Sequence, residues 1–387
     1  MIKAINIIGT TRRAATRGLS FTRVNDLLLG AGFPTPLLVL SRSGVRRNIE
    51  QLRRALPAAA IHYAIKANNH PVILEEIAKA GGCFDISSYQ ELRSAVEAGA
   101  RAGEMIHSHP IKSPREIADA VGEGVTLFVI DNPSEIEKFI PYAGRVRLMI
   151  RFKVDGGSAV VNLSYKFGCS EDEIVPLGIR MRELGIDYHG LAFHVGSQCT
   201  KSEVYVKAIK TAARQIRILE NLGFTTRLLD IGGGFPVEYT QAVPPIRKFC
   251  EPIRNALRRH IDPGIAIACE PGRYISATTT TLVASIIGKS TRSGKNWYFL
   301  DDGLYGSFSG RLYDHCQYQT LTNRNTTWKR SVLAGPTCDS FDVIYKDILL
   351  PPLDIGDVLL FPAMGAYCSV SASSFNCLRK AEYVVIE

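Results

Sequence analysis

From residue 61 onward the chain alternates short apolar runs with amphipathic stretches. The apolar runs at 61–66, 83–87, 105–109, 127–131, 146–151, 189–194, 227–231 and 265–270 have the length of buried strands. Helical patterns such as Tyr89–Ala98 and Ser202–Leu222 separate them. Eight strands joined by helical crossovers predict an α/β fold of the parallel (β/α)8, or TIM, barrel type. An open doubly wound sheet is the rival, and it would gather ligands at one switch point rather than around a ring. Past about residue 275 the texture changes. Thr278–Ile287, Trp297–Asp301, Ser331–Ala334 and Val358–Phe361 are β-rich, with Gly and Pro turns between them, and predict an all-β, barrel-like C-terminal domain. The segment 1–34, which runs into the turn Phe33-Pro34-Thr35-Pro36, is grouped with it. The expected division is a barrel over 35–275 and a β domain made of 1–34 and 276–387. No internal repeat or low-complexity tract interrupts this order.

A chain of 387 residues exceeds the roughly 250 that an α/β barrel fills, which leaves room for the second domain. Hydrophobic content of 46% and charged content of 21% describe a soluble globular protein. No apolar run reaches the roughly 18 residues of a transmembrane helix, so no membrane partner is expected. The net charge of +9 is spread along the chain rather than clustered, which argues against a nucleic-acid surface. The densest basic stretch is Lys3, Arg12, Arg13, Arg17 and Arg23, ahead of the first acid, Asp26. It has the composition of a transit peptide, but a strand and loop packed on the body is the commoner explanation. Nine cysteines, none in a CxxC pair, form neither a disulfide framework nor a zinc pattern. Reduced thiols in the cytoplasm, and no metal, are the expectation.

If the barrel is right, its active site lies at the carboxyl ends of the strands. Those ends carry Lys66, Asp85, Arg151, His194, Gly232-Gly233-Gly234 and Glu270. A barrel built for packing alone has no use for a lysine, two acids, an arginine, a histidine and a glycine triplet on one rim. A lysine at the inner end of a strand is costly to desolvate, and burial would free its amine as a nucleophile for imine chemistry. The glycine triplet, after Asp230-Ile231, is either a tight turn or a loop whose N–H groups converge on an anion. Its place after the seventh strand is where phosphate sites of such barrels sit. Glu270, in Glu270-Pro271-Gly272-Arg273, either pairs with a nearby cation or keeps a pyridinium nitrogen protonated, and Arg273 could cap a phosphate. His194 is either structural or stacked on a planar ligand, with Ser197 available to an anion. Cys338 is either a buried small hydrophobe or a proton donor, and Tyr367 either a core tyrosine or a ligand contact.

Ten ordered motifs carry a family resemblance over nearly the whole chain: YAIKAN (63–68), FDISS (84–88), LSYKFG (163–168), FHVGS (193–197), DIGGGFP (230–236), EPGR (270–273), DDGLYGSF (301–308), LYDH (312–315), GPTCDSFD (335–342) and MGAYCSVSASSFN (364–376). Together they resemble the fold-type III decarboxylases that use pyridoxal 5′-phosphate, the ornithine and diaminopimelate decarboxylase group. The resemblance implies that Lys66 is the Schiff-base lysine, that Glu270 partners the pyridine nitrogen and that His194 stacks on the ring. It implies phosphate contacts from Ser197, Gly233, Gly234, Gly272, Arg273 and Tyr367, and pocket roles for Asp85 and Arg151. Cys338 matches the residue that protonates the substrate carbon after CO2 leaves. In this family it comes from the second subunit of a homodimer, and Lys166 and Asp342 match an intersubunit ion pair.

The same resemblance reads the substrate. Asp314 and Asp339, with Tyr313 beside them, match positions that grip the distal ammonium of a small diamino acid, which points to L-ornithine. One methylene discriminates by only about 1–3 kcal/mol, so lysine stays open. Glutamate at position 339 would suit diaminopimelate, and Asp339 counts against it. Arg311 departs from the pattern, because an apolar residue usually stands there. It either faces the pocket, where it would pair with Asp314 or bind an acidic substrate group, or has no bearing on specificity. A modified or carrier-linked amino acid, a racemase and a non-catalytic antizyme-inhibitor-like homologue are the remaining alternatives.

Overall fold

The computed structural model describes residues 3–5, 24, 26, 32–154, 165–324 and 326–387. Arg12, Arg13, Arg17 and Arg23 of the basic N-terminal stretch, and Leu163 and Ser164 of one motif, lie outside the described residues. Two short strands open the chain, β1 (Lys3–Ile5) and β2 (Leu37–Ser41). Eight strands follow: β3 (Ala59–Ala64), β4 (Cys83–Ile86), β5 (Ile106–His107), β6 (Leu127–Ile130), β7 (Arg147–Phe152), β8 (Asp187–Phe193), β9 (Leu228–Asp230) and β10 (Ala266–Cys269). They pair in parallel from β3 to β10, and β10 returns to β3, so the sheet closes into a barrel. The eight strands fall at the eight expected apolar runs. The closed ring rules out the open doubly wound sheet.

Inside the barrel, Ile106, Leu127, Val129, Met149, Ala192, Leu228 and Ala268 pack as one cluster. Capping signals start the helices. Ser88 accepts from Glu91 N at the head of helix Tyr89–Glu97, Ser113 does so at Pro114–Gly122, and Asn132 at Pro133–Glu137. In the last two a proline occupies the first turn, where its missing N–H costs nothing. Each cap ends a loop on the carboxyl side of a strand, so the rim is tied down before its chemistry is considered.

The chain divides into two compact units, residues 45–236 with 243–275, and residues 1–44 with 237–242 and 276–387. The barrel unit therefore begins at Val45, not at residue 35. The reason is β2, whose buried run Leu37-Leu38-Val39-Leu40 pairs antiparallel with β11 (Thr280–Arg292) and parallel with β17 (Glu382–Ile386). The remaining strands of that unit are β12 (Lys295–Leu300), β13 (Thr320–Thr322), β14 (Lys329–Ala334), β15 (Val343–Leu350) and β16 (Val358–Phe361). β1 pairs with β13, which places residues 3–5 in the β unit as well. Among the described residues no helix is long and apolar enough to cross a membrane.

Candidate active site

Lys66 lies just past the end of β3, in the single helical turn Ile65–Ala67. Its Nζ is 2.5 Å from Asp85 Oδ2, and Asp85, on β4, is fully buried. β3 and β4 pair with Ala64 opposite Asp85, so the register of two strands sets this contact. Desolvation alone suggested a neutral amine. The structure instead gives Lys66 a carboxylate partner and a side chain that is 38% exposed. The amine is therefore held in a fixed direction and open on one side, and Asp85 Oδ1 is buried without a hydrogen-bond partner.

Opposite charges converge from the other strands. Arg151, on β7, sits 5.5 Å from the ring of Phe167 and feels Glu270, Asp131, Asp85 and Asp230. Glu270, one residue beyond β10, is buried, and burial together with Asp230 and Asp85 pushes its carboxyl well above the usual range. Asp230 ends β9, fully buried, and is pushed up to about 6, first by burial. Its Oδ1 accepts from Gly232 N at 2.8 Å, and its side chain shares a hydrogen bond with Glu270. Two buried acids facing each other cannot both ionise cheaply, so the pair keeps a proton at neutral pH unless a cation joins them. In the sequence Asp230 shows only as part of the glycine motif. Its signal is its place at a strand end, two residues before the first glycine.

His194 follows β8. Its Nδ1 accepts from Gly196 N at 3.0 Å, which leaves the proton of the neutral ring on Nε2. Burial, then the charges of Arg151 and Lys66, hold this imidazole well below its ordinary value. It is thus a flat, neutral ring.

The three glycines are packed into this group. A Cβ on Gly233 would stand 2.4 Å from the Glu270 carbonyl oxygen and 3.1 Å from His194 Nε2. The carbonyls of the loop are all committed: Gly232 O accepts from Glu270 N, Gly233 O from Tyr205 Oη at 2.7 Å, and Gly234 O from Cys199 N at 2.9 Å. The N–H groups of Gly233 and Gly234 meet no acceptor among the described residues. Beside them in the chain's fold, Arg273 Nη2 donates to Ser197 Oγ at 2.8 Å, and Arg273 is buried. Gly272 is needed for close packing, since a Cβ there would lie 2.8 Å from Ala67 Cβ. The structure thus joins Lys66, Asp85, Arg151, His194, Ser197, Gly233, Gly234, Glu270, Gly272 and Arg273 in one unit.

The other expected residues belong to the β unit. Cys338 is exposed, which removes the reading of a buried hydrophobe. Its backbone N–H donates to Asn376 Oδ1 at 3.0 Å. Asp339 accepts from Tyr305 Oη on Oδ2 and from Phe341 N at 2.9 Å on Oδ1. These two bonds, the tyrosine's first, hold its carboxyl below the usual carboxylate value. Tyr313 is 67% exposed and Asp314 half-buried at the end of the short helix Gly310–Tyr313. Tyr367 is half-buried in a left-handed backbone conformation, and its carbonyl accepts from Ser371 Oγ. Arg311 neither pairs with Asp314 nor stands free: Nε donates to Ile344 O and Nη1 to Cys316 O, with the guanidinium 4.4 Å over Tyr345. Asp342 is buried and accepts from Leu304 N, Thr337 N and Thr337 Oγ1, an internal role within its own unit.

The barrel rim fits pyridoxal phosphate by three of its own features. The buried acid pair Glu270 and Asp230, with Asp85 beside them, suits a cationic ring nitrogen that would relieve their mutual repulsion. A neutral flat imidazole suits the ring face. A loop whose carbonyls are all turned to other donors suits a phosphate.

Comparison with known proteins agrees. The chain is 38% identical over 362 residues to the lysine/ornithine decarboxylase of Selenomonas ruminantium, covering 93% of this chain and 91% of that one. It is 34% identical over 347 residues to mouse ornithine decarboxylase, covering 84% and 75%. The crystal structure of the Vibrio vulnificus lysine/ornithine decarboxylase with putrescine superposes with a TM-score of 0.89 at 40% identity, over 95% of this chain and 98% of that one. Residues 42–277, which span the whole rim just described, match the pyridoxal binding domain of the pyridoxal-dependent decarboxylases, and the chain belongs to that family.

Proposed function

We propose that the protein decarboxylates basic amino acids, with L-ornithine and L-lysine as its substrates and putrescine and cadaverine as products. The observation that carries this reading is the neighbouring pair in the β unit: an exposed thiol, Cys338, next to a carboxylate, Asp339, that is held ionised by Tyr305 and Phe341. An anion fixed beside a proton donor suits a substrate whose far end is an ammonium group. Asp314 supplies a second carboxylate in the same unit. Relatives named lysine/ornithine decarboxylase support both chain lengths equally. The neutral length discrimination of about 1–3 kcal/mol per methylene gives no ground for excluding either.

In this reading Lys66 would hold the cofactor, its amine directed by Asp85. When bound, pyridoxal phosphate supplies the electron sink that takes up the pair left by departing CO2. Glu270, with Asp230, holds the proton at the ring nitrogen. His194 covers one ring face. Ser197, Gly233, Gly234, Gly272 and Arg273 bind and orient the phosphate, together with Tyr367. Arg151 keeps the concentration of buried acids tolerable. Cys338 gives its proton to the substrate carbon.

The site is completed across a homodimer, the β unit of one subunit serving the barrel of its partner, in the cytoplasm. The family resemblance supports this assembly, and nine cysteines with no disulfide among them support a reducing compartment. The test is CO2 release from ornithine, lysine, arginine, meso-diaminopimelate and glutamate. Turnover of ornithine and lysine is expected. Turnover of neither would sink the reading.

A further inference from the structure

Asn376 lies outside every residue given a role above, yet it touches the proposed proton donor. Its Oδ1 accepts from Cys338 N at 3.0 Å. Asn376 sits in the left-handed backbone region, φ 56° and ψ 11°, which asparagine tolerates better than other side-chain-bearing residues. Phe375, the residue before it, stacks on Tyr305 with ring centroids 4.5 Å apart and planes 23° from parallel. Ser373 N donates to the Tyr305 carbonyl at 2.8 Å. Tyr305 in turn donates to Asp339. The contacts close a ring: Cys338, Asn376, Phe375, Tyr305, Asp339 and back to Cys338 through the peptide bond.

That ring matters because Cys338 is exposed. An exposed loop has little packing to fix it, and misplacing a reacting group by about 1 Å costs on the order of a hundredfold in rate. One hydrogen bond to the backbone amide of the thiol-bearing residue, anchored by an aromatic stack, supplies that constraint. The acceptor is also neutral. A carboxylate in the same place would add negative charge beside the thiol and disfavour the thiolate that proton transfer leaves behind.

We propose that Asn376 is a positioning residue for proton delivery, holding the Cys338 loop so that the thiol meets the substrate carbon. The inference rests on the reading of Cys338 as proton donor. In the step it serves, the S–H bond breaks as the new C–H bond forms at the carbon that has lost CO2. The thiolate is then reprotonated by water.

The test uses the full chain and Asn376→Gly, which permits the left-handed backbone and removes the side chain that carries the acceptor. Turnover of ornithine or lysine should fall about tenfold with KM within about twofold. Hydrogen exchange at the Cys338 amide, read on the protein without substrate, should accelerate at least about tenfold. Asn376→Asp, which retains an acceptor oxygen, should restore the amide protection. In a Cys377→Ser background it should also move the alkylation of Cys338 by iodoacetamide to higher pH. Unchanged turnover in Asn376→Gly, while Cys338→Ala loses turnover, overturns the positioning role and leaves the proton donor standing. Full turnover in Cys338→Ala overturns both.

Discussion

The guanidinium of Arg311 lies 4.4 Å over the ring of Tyr345, with Nε and Nη1 donating to the carbonyls of Ile344 and Cys316. Arg311, which departs from the family pattern, is therefore used to tie the short helix Gly310–Tyr313 to β15. Its charge is spent on carbonyls and an aromatic face, not on a substrate carboxylate. Arg311→Leu should lower the unfolding free energy by about 1–3 kcal/mol, from a cation–π contact and two hydrogen bonds lost. The ratio of kcat/KM for ornithine to that for lysine should stay within about twofold. A large swing in that ratio at unchanged stability would put Arg311 in the pocket after all.

Lys66 and Cys338 belong to different units of the chain, and the proposed dimer puts them in one site only across subunits. Lys66→Ala should abolish the visible absorbance band of the bound cofactor, and Cys338→Ala should retain it. Each variant alone should be nearly inactive. Mixing equal amounts under conditions of subunit exchange should recover roughly a quarter of wild-type activity, since half the dimers are mixed and each of those has one intact site. No recovery despite demonstrated exchange would contradict the shared site.

The barrel was legible because each strand is a short apolar run ended by a polar or glycine residue, and the helices announce themselves by Ser-Pro and Asn-Pro caps. The barrel's bound at residue 35 enclosed β2 because nothing local in Leu37–Ser41 marks it as part of the β unit. Only its pairing with β11 and β17 tells it apart, and those partners lie more than two hundred residues away in the chain. β5 is just two residues long, so its neighbours in the ring rather than its own sequence define it. At the site, Lys66, His194 and Glu270 stood out because polar groups at strand ends are conspicuous. Tyr305 and Asn376 did not. A tyrosine and an asparagine in loops are ordinary, and what distinguishes them is a contact with a residue 34 or 38 positions away.

Gly233 offers a sharp test of the proposed phosphate cradle. Its missing side chain leaves room for Glu270 O at 2.4 Å and His194 Nε2 at 3.1 Å from where a Cβ would sit. Neither a backbone carbonyl nor the ring on the cofactor side can yield cheaply. Gly233→Ala should weaken cofactor binding at least about tenfold, roughly 1.4 kcal/mol or more, measured by absorbance titration of the protein freed of cofactor. Gly185→Ala serves as a comparison. It is a left-handed glycine in open space after helix Ile174–Glu183, so it should cost stability without touching cofactor affinity. Equal affinity in wild type and Gly233→Ala would separate the glycine loop from the phosphate.

Acid should unfold the barrel in part through His62. This histidine lies on β3, with Nδ1 buried and unpartnered, and burial pulls its imidazole down to about 4 against the opposing pull of Asp85. The unfolded chain binds a proton near pH 6.5, the folded chain only near 4. Between these values the unfolded state holds more protons, so stability falls as pH falls, by on the order of 3 kcal/mol over the whole window. Above about pH 6.5 the contribution is fully present. Glu91 works the other way. Its carboxyl is pushed up to about 7, mainly by burial, so the folded state holds the extra proton and stability falls as pH rises from about 4.5 to 7. The two slopes oppose each other in the wild type, and a single stability profile would hide both. The informative quantity is the difference in urea-unfolding free energy between wild type and His62→Gln, followed from pH 7 to pH 4. Glu91 is present in both proteins and cancels. The variant should gain on the wild type as pH drops, with the gain levelling off near pH 4. A difference that stays flat across the window would mean that His62 is not held neutral by its place in the barrel wall.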